Sequence, residues 1–305
     1  MTGRIVVVGD ALIDELRDDN GVREFVGGAA LNVAVGLTRL GVPATLIAMV
    51  GDDEAGSHIR AYLGDYGVEL LATPSSLGSS RAVSTRSGGG EPTYEFNAAA
   101  KARRVEFGEA ELAAMTDAAL VVVSCFPFDD LAQTQEFADA VAASGADLAI
   151  DPNPRTGMLS DRDAFVAGFE ALAARAALVK VGEDDAALLY EAPLDALRAR
   201  LVELGTSTVL ATQGSAGATI ESGDVVVTRP ISALPGRIVD TMGGGDAAFA
   251  ATLAALAEEA PSSAEEWGAV LQSAMDTAAA TCRFEGALLR LPAALEALDI
   301  DHIGT

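Results

Sequence analysis

The chain has 305 residues, with 20 basic against 45 acidic side chains and a formal net charge of −25. A field of that sign repels phosphodiester backbones and anionic lipid headgroups, which argues against nucleic acid and membrane surfaces as partners. Half of the residues are apolar and 31 are glycine, which suits an Ala/Val/Leu-packed interior and not an acidic disordered chain.

Taken in chain order, strand-like runs at residues 4–8, 44–50, 120–124, 147–150, 178–181, 208–212 and 218–221 are flanked by helix-period stretches. Those stretches lie at 32–40, 56–66, 109–115, 131–144, 162–174, 194–204, 246–258 and 263–284. The alternation predicts a three-layer α/β/α fold, a mostly parallel central sheet with helices on both faces. Two stretches break the rhythm. Residues 81–86 and 93–96 read as strands joined by a glycine-rich turn at 87–92, and residues 11–16 return at 23–26 around the turn Asp18-Asp19-Asn20-Gly21. Together they predict a small antiparallel sheet, a lid formed by about 11–26 and 81–97, with Tyr94 and Phe96 on one face by strand parity. No repeat, low-complexity tract or linker divides the chain, so residues 1–305 are expected to form one unit.

Rare residues narrow the chemistry. Cys125, Cys282, His58 and His302 lie far apart, without the close spacing of a zinc site. Two separated cysteines suit a reducing compartment, and no apolar run approaches the ~18 residues of a membrane helix, so a cytoplasmic protein is expected. Neither of the two lysines, Lys101 and Lys180, stands in a P-loop context. With so few imidazoles, any general base is expected to be a carboxylate.

The segment Asp240-Thr241-Met242-Gly243-Gly244-Gly245-Asp246 places three glycines before an Ala-rich helical run. Free N–H groups at such a helix start form an anion site. Asp246 there reads either as a helix cap or as a base for an incoming hydroxyl beside a phosphoryl cradle. Gly27-Gly28-Ala29-Ala30-Leu31-Asn32 opens a second helix, suiting either tight packing or close approach of a neutral polyol. The first strand ends in Gly9-Asp10-Ala11 and lacks a dinucleotide fingerprint, which removes the main support for a nicotinamide-linked oxidoreductase.

Residues 27–41 resemble the first signature of the PfkB (ribokinase-like) carbohydrate kinases and residues 240–246 the second, with Gly244 in place of its usual alanine. Residues 9–14, 151–155 and 179–185 are similar to the fructokinase branch, and 212–217 to the family's nucleotide-side glycine turn. The resemblance implies a ribokinase-like sandwich with a β lid and an ATP- and magnesium-dependent kinase acting on a primary sugar hydroxyl, with fructose leading. Related readings are a 2-keto-3-deoxygluconate kinase, a ribokinase, a nucleoside kinase, or a non-catalytic sugar-binding protein on this fold.

Residue by residue, the resemblance makes Asp246 the base and Gly243, Gly244 and Gly245 the anion hole. It places the sugar at Asp14, Gly27, Gly28 and Asn32, with Tyr94 and Phe96 on the lid and Arg155 near the phosphates or substrate. ATP falls to Lys180, Thr212, Gly214, Gly217, Ala278 and Cys282. Asp240 matches a side chain associated with a monovalent-cation site, which would add potassium. The family's NxxE magnesium motif is replaced by Gly182-Glu183-Asp184-Asp185, which leaves Asp185 and Glu183 as the metal-side carboxylates. Lid sheets in this family often pair between subunits, so a homodimer through the lid is expected.

Overall fold

The computed structural model describes residues 3–18, 21–85 and 93–295. The predicted glycine turn at 87–92, Asp19 and Asn20 of the first lid turn, and His302 lie outside the described residues. The chain leaves β1 (Ile5–Gly9) into β2 (Leu12–Asp18) and β3 (Gly21–Gly27), then forms α1 (Ala29–Arg39), β4 (Ala44–Met49), α2 (Glu54–Asp65) and β5 (Glu69–Thr73). A second excursion, β6 (Ser80–Thr85) and β7 (Thr93–Phe96), ends in the short α3 (Ala98–Lys101). There follow α4 (Glu109–Thr116), β8 (Leu120–Ser124), α5 (Leu131–Ser144), β9 (Asp147–Asp151), α6 (Arg162–Ala173) and β10 (Leu178–Gly182). The last elements are α7 (Glu183–Tyr190), α8 (Leu194–Leu204), β11 (Thr208–Thr212), β12 (Ala218–Ser222), β13 (Val225–Arg229), α9 (Gly244–Glu258) and α10 (Ala264–Thr281).

Nine strands form the large sheet in the order β13-β12-β11-β10-β9-β8-β1-β4-β5. All neighbours from β11 to β5 pair in parallel, and β12 and β13 add an antiparallel edge. Strands β1, β4 and β8 are buried at every residue, which is why they read as unbroken apolar runs: a parallel strand is covered on both faces. The period of two then sorts one strand into two cores. Ile5 and Val7 pack with Leu31, Ile59, Phe249 and Leu271 of α1, α2, α9 and α10, while Val6 and Val8 pack with Phe137, Phe165 and Leu197 of α5, α6 and α8.

The smaller sheet, ordered β3-β2-β6-β7, corrects one expectation: it is mixed, not antiparallel. Its central strands β2 and β6 pair in parallel, Leu12 beside Ser80 and Arg17 beside Thr85. Both leave the body from the buried end and run outward together, so only their returns, β3 and β7, are antiparallel to them. The helix-period reading also missed β5, β13, α3 and α7 and ran α10 three residues past its end at Thr281. It began α1 late as well, because Gly28, at φ 108°, lets the chain turn into the helix at Ala29.

Candidate active site

The carboxyl ends of β1, β8, β9 and β10 meet the amino ends of α1 and α9, the usual place for a ligand in an open parallel sheet. Two non-glycine residues at this rim, Cys125 after β8 and Asn153 after β9, adopt left-handed φ values of 50° and 39°. Such strain persists where surrounding structure fixes it, often at functional sites.

The start of α9 is built from absent side chains. Gly243 is its left-handed N-cap at φ 73°, with no side-chain cap. A Cβ on Gly243 would lie 2.6 Å from the Ala287 Cα, and one on Gly244 3.0 Å from the Cys282 Sγ. A Cβ on Gly245 would lie 3.4 Å from the Lys180 Nζ, which sets an ammonium beside the first amides of the helix, of which the Gly244 N–H donates to the Thr241 carbonyl at 3.3 Å. Asp246, third residue of α9, does not cap it. Its Oδ2 instead accepts a 2.8 Å hydrogen bond from the Nδ2 of Asn32. Burial and the neighbouring Asp151 push the Asp246 carboxyl up to about 6, against the pull of Lys180, Asn32 and Arg155.

At the start of α1, Asp10 takes the capping part that Gly28 cannot play. Its Oδ1 accepts the Ala30 N–H at 3.0 Å and its carbonyl the Leu31 N–H at 3.2 Å. Burial pushes the Asp10 carboxyl up, eased by the Ala30 amide and by Arg103 and Arg155. Asp14 stands nearby on β2, and Gly27 makes room for it: a Cβ there would lie 2.3 Å from the Asp14 Oδ2. Burial, with Asp10, Asp246 and Asp240 close by, raises Asp14 to about 7 despite Arg155. The Asp14 carboxyl makes no hydrogen bond among the described residues, so its oxygens are open to a ligand's hydroxyls.

Under the α9 start lies a buried charge network. The Lys180 Nζ donates to the Asp151 Oδ1 at 3.1 Å, and Asp151 is fully buried. Burial alone would pull the Lys180 ammonium down, but Asp151, Asp185 and Asp246 push it up and keep it charged. Asp185 accepts the Gly182 N–H at 2.6 Å through Oδ2, and burial lifts its carboxyl to about 6 against Lys180. Glu183 is exposed on α7. Asp240 lies in the loop before α9, with its oxygens accepting the Met242 N–H at 3.0 Å and the Gly286 N–H at 3.1 Å. Asp240, the predicted monovalent-cation residue, lies on a different segment from the magnesium-side Asp185 and Glu183 of α7, and no three His, Cys, Asp or Glu side chains cluster as metal ligands among the described residues.

The remaining predicted positions fall in three places. Arg155 is exposed after β9, its carbonyl accepting the Met158 and Leu159 amides, and its guanidinium faces Asp10, Asp151 and Asp246 without a side-chain hydrogen bond among the described residues. Thr212 ends β11 and donates to the Val181 carbonyl at 3.3 Å, and Gly214 opens a short 3-10 turn at φ 50° with free space beside it. Gly217 packs on Arg229, where a Cβ would lie 2.1 Å from the carbonyl oxygen. Ala278 lies on the buried face of α10, and Cys282 ends that helix with its carbonyl accepting the amides of Val239 and Asp240.

Across the smaller sheet the register aligns Phe25, Asp14, Ala82 and Phe96 in one row. Both ends of the row rest on the body. The Phe96 ring packs against Ala29, Ala100, Cys125 and Met158 and lies over Gly157, where a Cβ would be 2.6 Å from its Cδ2. Phe25 lies against Gly286, 3.5 Å from the position of a Cβ there. Phe96 thus seats the sheet on the body. Tyr94 pairs with Ser84 farther out along β7. The sequence reading gave no role to Asp10, Asp151 or Phe25. A carboxylate at the carboxyl end of a parallel strand, Asp151 as the last residue of β9 and Asp10 just after β1, was the available signal for the first two, whereas Phe25 is brought to the cleft only by the pairing of β2 with β3.

Residues 3–294 match the pfkB family of carbohydrate kinases. A fructokinase of Rhizobium leguminosarum bv. trifolii is 29% identical over 267 residues, 83% of this chain and 79% of that protein. The crystal structure of a fructokinase with bound ATP from Xylella fastidiosa superposes with a TM-score of 0.83 at 21% identity, covering 99% of each chain. That of aminoimidazole riboside kinase from Salmonella enterica, complexed with aminoimidazole riboside and an ATP analogue, gives 0.78 at 24% identity over 96% of this chain and 98% of that one. The chain belongs to the pfkB family, in its fructokinase-like branch, and is an ATP-dependent sugar kinase.

Proposed function

We propose that the protein transfers the γ-phosphoryl group of ATP to the primary hydroxyl of fructose, giving fructose 6-phosphate. The observation that carries this reading is the juxtaposition at α9: a carboxylate held by Asn32, three uncapped glycines and the Lys180 ammonium within one helical turn. Asp14 and Asn32 bind the sugar hydroxyls, with Gly27 and Gly28 allowing close approach. Asp246 orients the reacting hydroxyl and takes its proton late, as the bond to phosphorus forms. The N–H groups of Gly243, Gly244 and Gly245, with Lys180 and Arg155, stabilise charge on the transferring group. Thr212, Gly214 and the Ala278–Cys282 end of α10 border the nucleotide. These local cations offset the acidity of the chain over a screening length of ~8 Å. The smaller sheet acts as the lid of a single 1–305 unit and excludes water.

Magnesium fits the donor set around Lys180. Three carboxylates, Asp151, Asp185 and Asp246, surround one ammonium, and the Asp185 Oδ1 carries no hydrogen bond among the described residues. Asp185, with Glu183 at the rim, would hold the ion through water while the ATP phosphates supply its other ligands, where it would neutralise phosphate charge. Asp240 has both oxygens on loop amides, so no step is assigned to potassium.

A neutral acceptor is favoured because the acceptor side offers Asp10, Asp14 and Asp246, groups suited to hydroxyls and repulsive to a phosphorylated sugar, and among neutral sugars fructose leads on the likeness to fructokinases. Coupled ADP release with fructose, 2-keto-3-deoxygluconate, ribose, adenosine and fructose 6-phosphate tests this. Fructose should give the highest kcat/KM, and turnover of the phosphorylated sugar alone would reject the reading. A homodimer through the lid is part of this proposal. The lid's outer face carries Arg17, Arg81, Glu15 and Glu24 in mutual ion pairs, a self-complementary surface. A monomer by light scattering at working concentration would remove that element.

A further inference from the structure

Residues 284–287, which follow α10, are bracketed by the lid on one side and the glycine turn on the other. On the lid side, Arg23 of β3 forms an ion pair with Glu285, and Phe25 packs on Gly286. The Arg23 guanidinium also bonds Asp18 of β2 at 2.8 Å, so it is fixed within the lid sheet. On the other side, the Gly286 N–H donates to Asp240, whose second oxygen accepts the Met242 N–H, and Ala287 presses on Gly243. Gly286 and Gly243 have φ values of 80° and 73°, which other residues adopt only under strain, so the loop has a defined shape that transmits displacement.

We infer that this loop couples the lid to the anion hole, making Arg23 and Glu285 positioning residues for Gly243–Gly245. The inference rests on the reading of those glycines as the phosphoryl site. Lifting the lid removes the outer support of Glu285 and Gly286. The loop then loses its fixed position against Asp240 and Gly243, the two residues that shape the turn. A sugar that draws Asp14 inward therefore also sets the N–H donors, and ATP without sugar meets a less ordered cradle.

Three variants test this: Arg23→Glu, Glu285→Arg and the double exchange, each measured for kcat, sugar KM, thermal midpoint and deuterium uptake over residues 241–247. Each single reversal should lower kcat roughly three- to tenfold, the scale of one surface charge pair turned repulsive, with the thermal midpoint nearly unchanged. Deuterium uptake over 241–247 should quicken in both singles, and the double exchange should recover kcat and uptake part of the way from either single, since Asp18 still opposes a carboxylate at position 23. Singles with unchanged kcat and uptake, a loss confined to sugar KM with normal uptake, or a double variant whose losses multiply would each overturn the coupling. Uptake is read without turnover. A wild type lacking sugar-dependent ADP release would therefore reject the kinase assignment while the exchange data still decide whether lid and glycine turn are linked.

Discussion

Asn32 on α1 and Asp246 on α9 stand 214 residues apart in sequence and are joined by a 2.8 Å hydrogen bond, Nδ2 to Oδ2. That bond fixes one oxygen of the carboxylate and leaves the other for a proton. It also ties together the two glycine-opened helices, so the proposed sugar side and phosphoryl side share one contact.

Asp246→Asn separates a base from a structural carboxylate. Because Gly243 and not Asp246 caps α9, the amide should leave the helix intact and the thermal midpoint close to wild type. Loss of the proton acceptor should lower kcat on the order of 10²-fold or more. Retention of most of kcat, in sugar-dependent ADP release, would remove Asp246 from the mechanism.

The pH profile follows from the same carboxyl. With its pKa at about 6, Asp246 is ionised above that value, so kcat should fall as the pH drops through 6. The Asn32 bond favours the charged form. Asn32→Ala should therefore move the acid limb to higher pH, a shift that a defect in sugar binding alone would not produce.

Asp14 trades stability for binding. Its carboxyl is raised to about 7 from 3.8, so its contribution to stability is fully present below the unfolded value and is lost as the pH rises through 7. Asp14→Asn should melt higher than wild type at pH 8, with the gap closing near pH 4, while sugar KM rises. Identical melting at both pH values would argue against a strained carboxylate.

Lys180→Met should destabilise the fold as well as slow the reaction. It leaves the fully buried Asp151 without its ammonium, a change that typically costs about 3–5 kcal/mol. Urea unfolding reads this directly. A midpoint equal to wild type would mean that the Ser124 hydroxyl, 3.3 Å from the Asp151 Oδ2, suffices to hold the buried carboxylate.

Gly157→Ala tests the seat of the lid. A methyl there would meet the Phe96 ring at 2.6 Å and lift that end of the row holding Asp14. Sugar KM should rise roughly three- to tenfold with little change in ATP KM, the pattern of lost binding of one substrate. Equal rises in both would point to a general loosening.

The parallel sheet was legible because strands buried on both faces spell unbroken apolar runs, as Ile5–Gly9 and Leu120–Ser124 do, and the smaller sheet because turn residues at 18–21 and 87–92 separate short strand-like runs. Local motifs likewise marked Asp246 and Asn32, but not that they touch, since side-chain pairing across two helices leaves no trace in spacing. The β2–β6 register was hidden for the same reason: alternation along each strand cannot say which neighbour it meets. Parity places Tyr94 and Phe96 on one face of the lid but does not say what lies against it, so the packing of Phe96 on Met158 and Gly157 was not legible. Edge strand β5 was missed because only Thr73 of its five residues is buried, so Glu69–Thr73 lacks the unbroken apolar signature.

The parallel pairing of β2 with β6 has a consequence for the order in which the chain assembles. No tight turn can join these two strands. Between them the chain must complete α1, β4, α2 and β5 before Ser80 arrives beside Leu12. Such non-local contacts form late because the intervening loop must close first. The cleft therefore acquires its roof only after the far edge of the large sheet is built. A lesion in β5, remote from every reacting group, would reach catalysis by leaving β6 without a fixed point of departure.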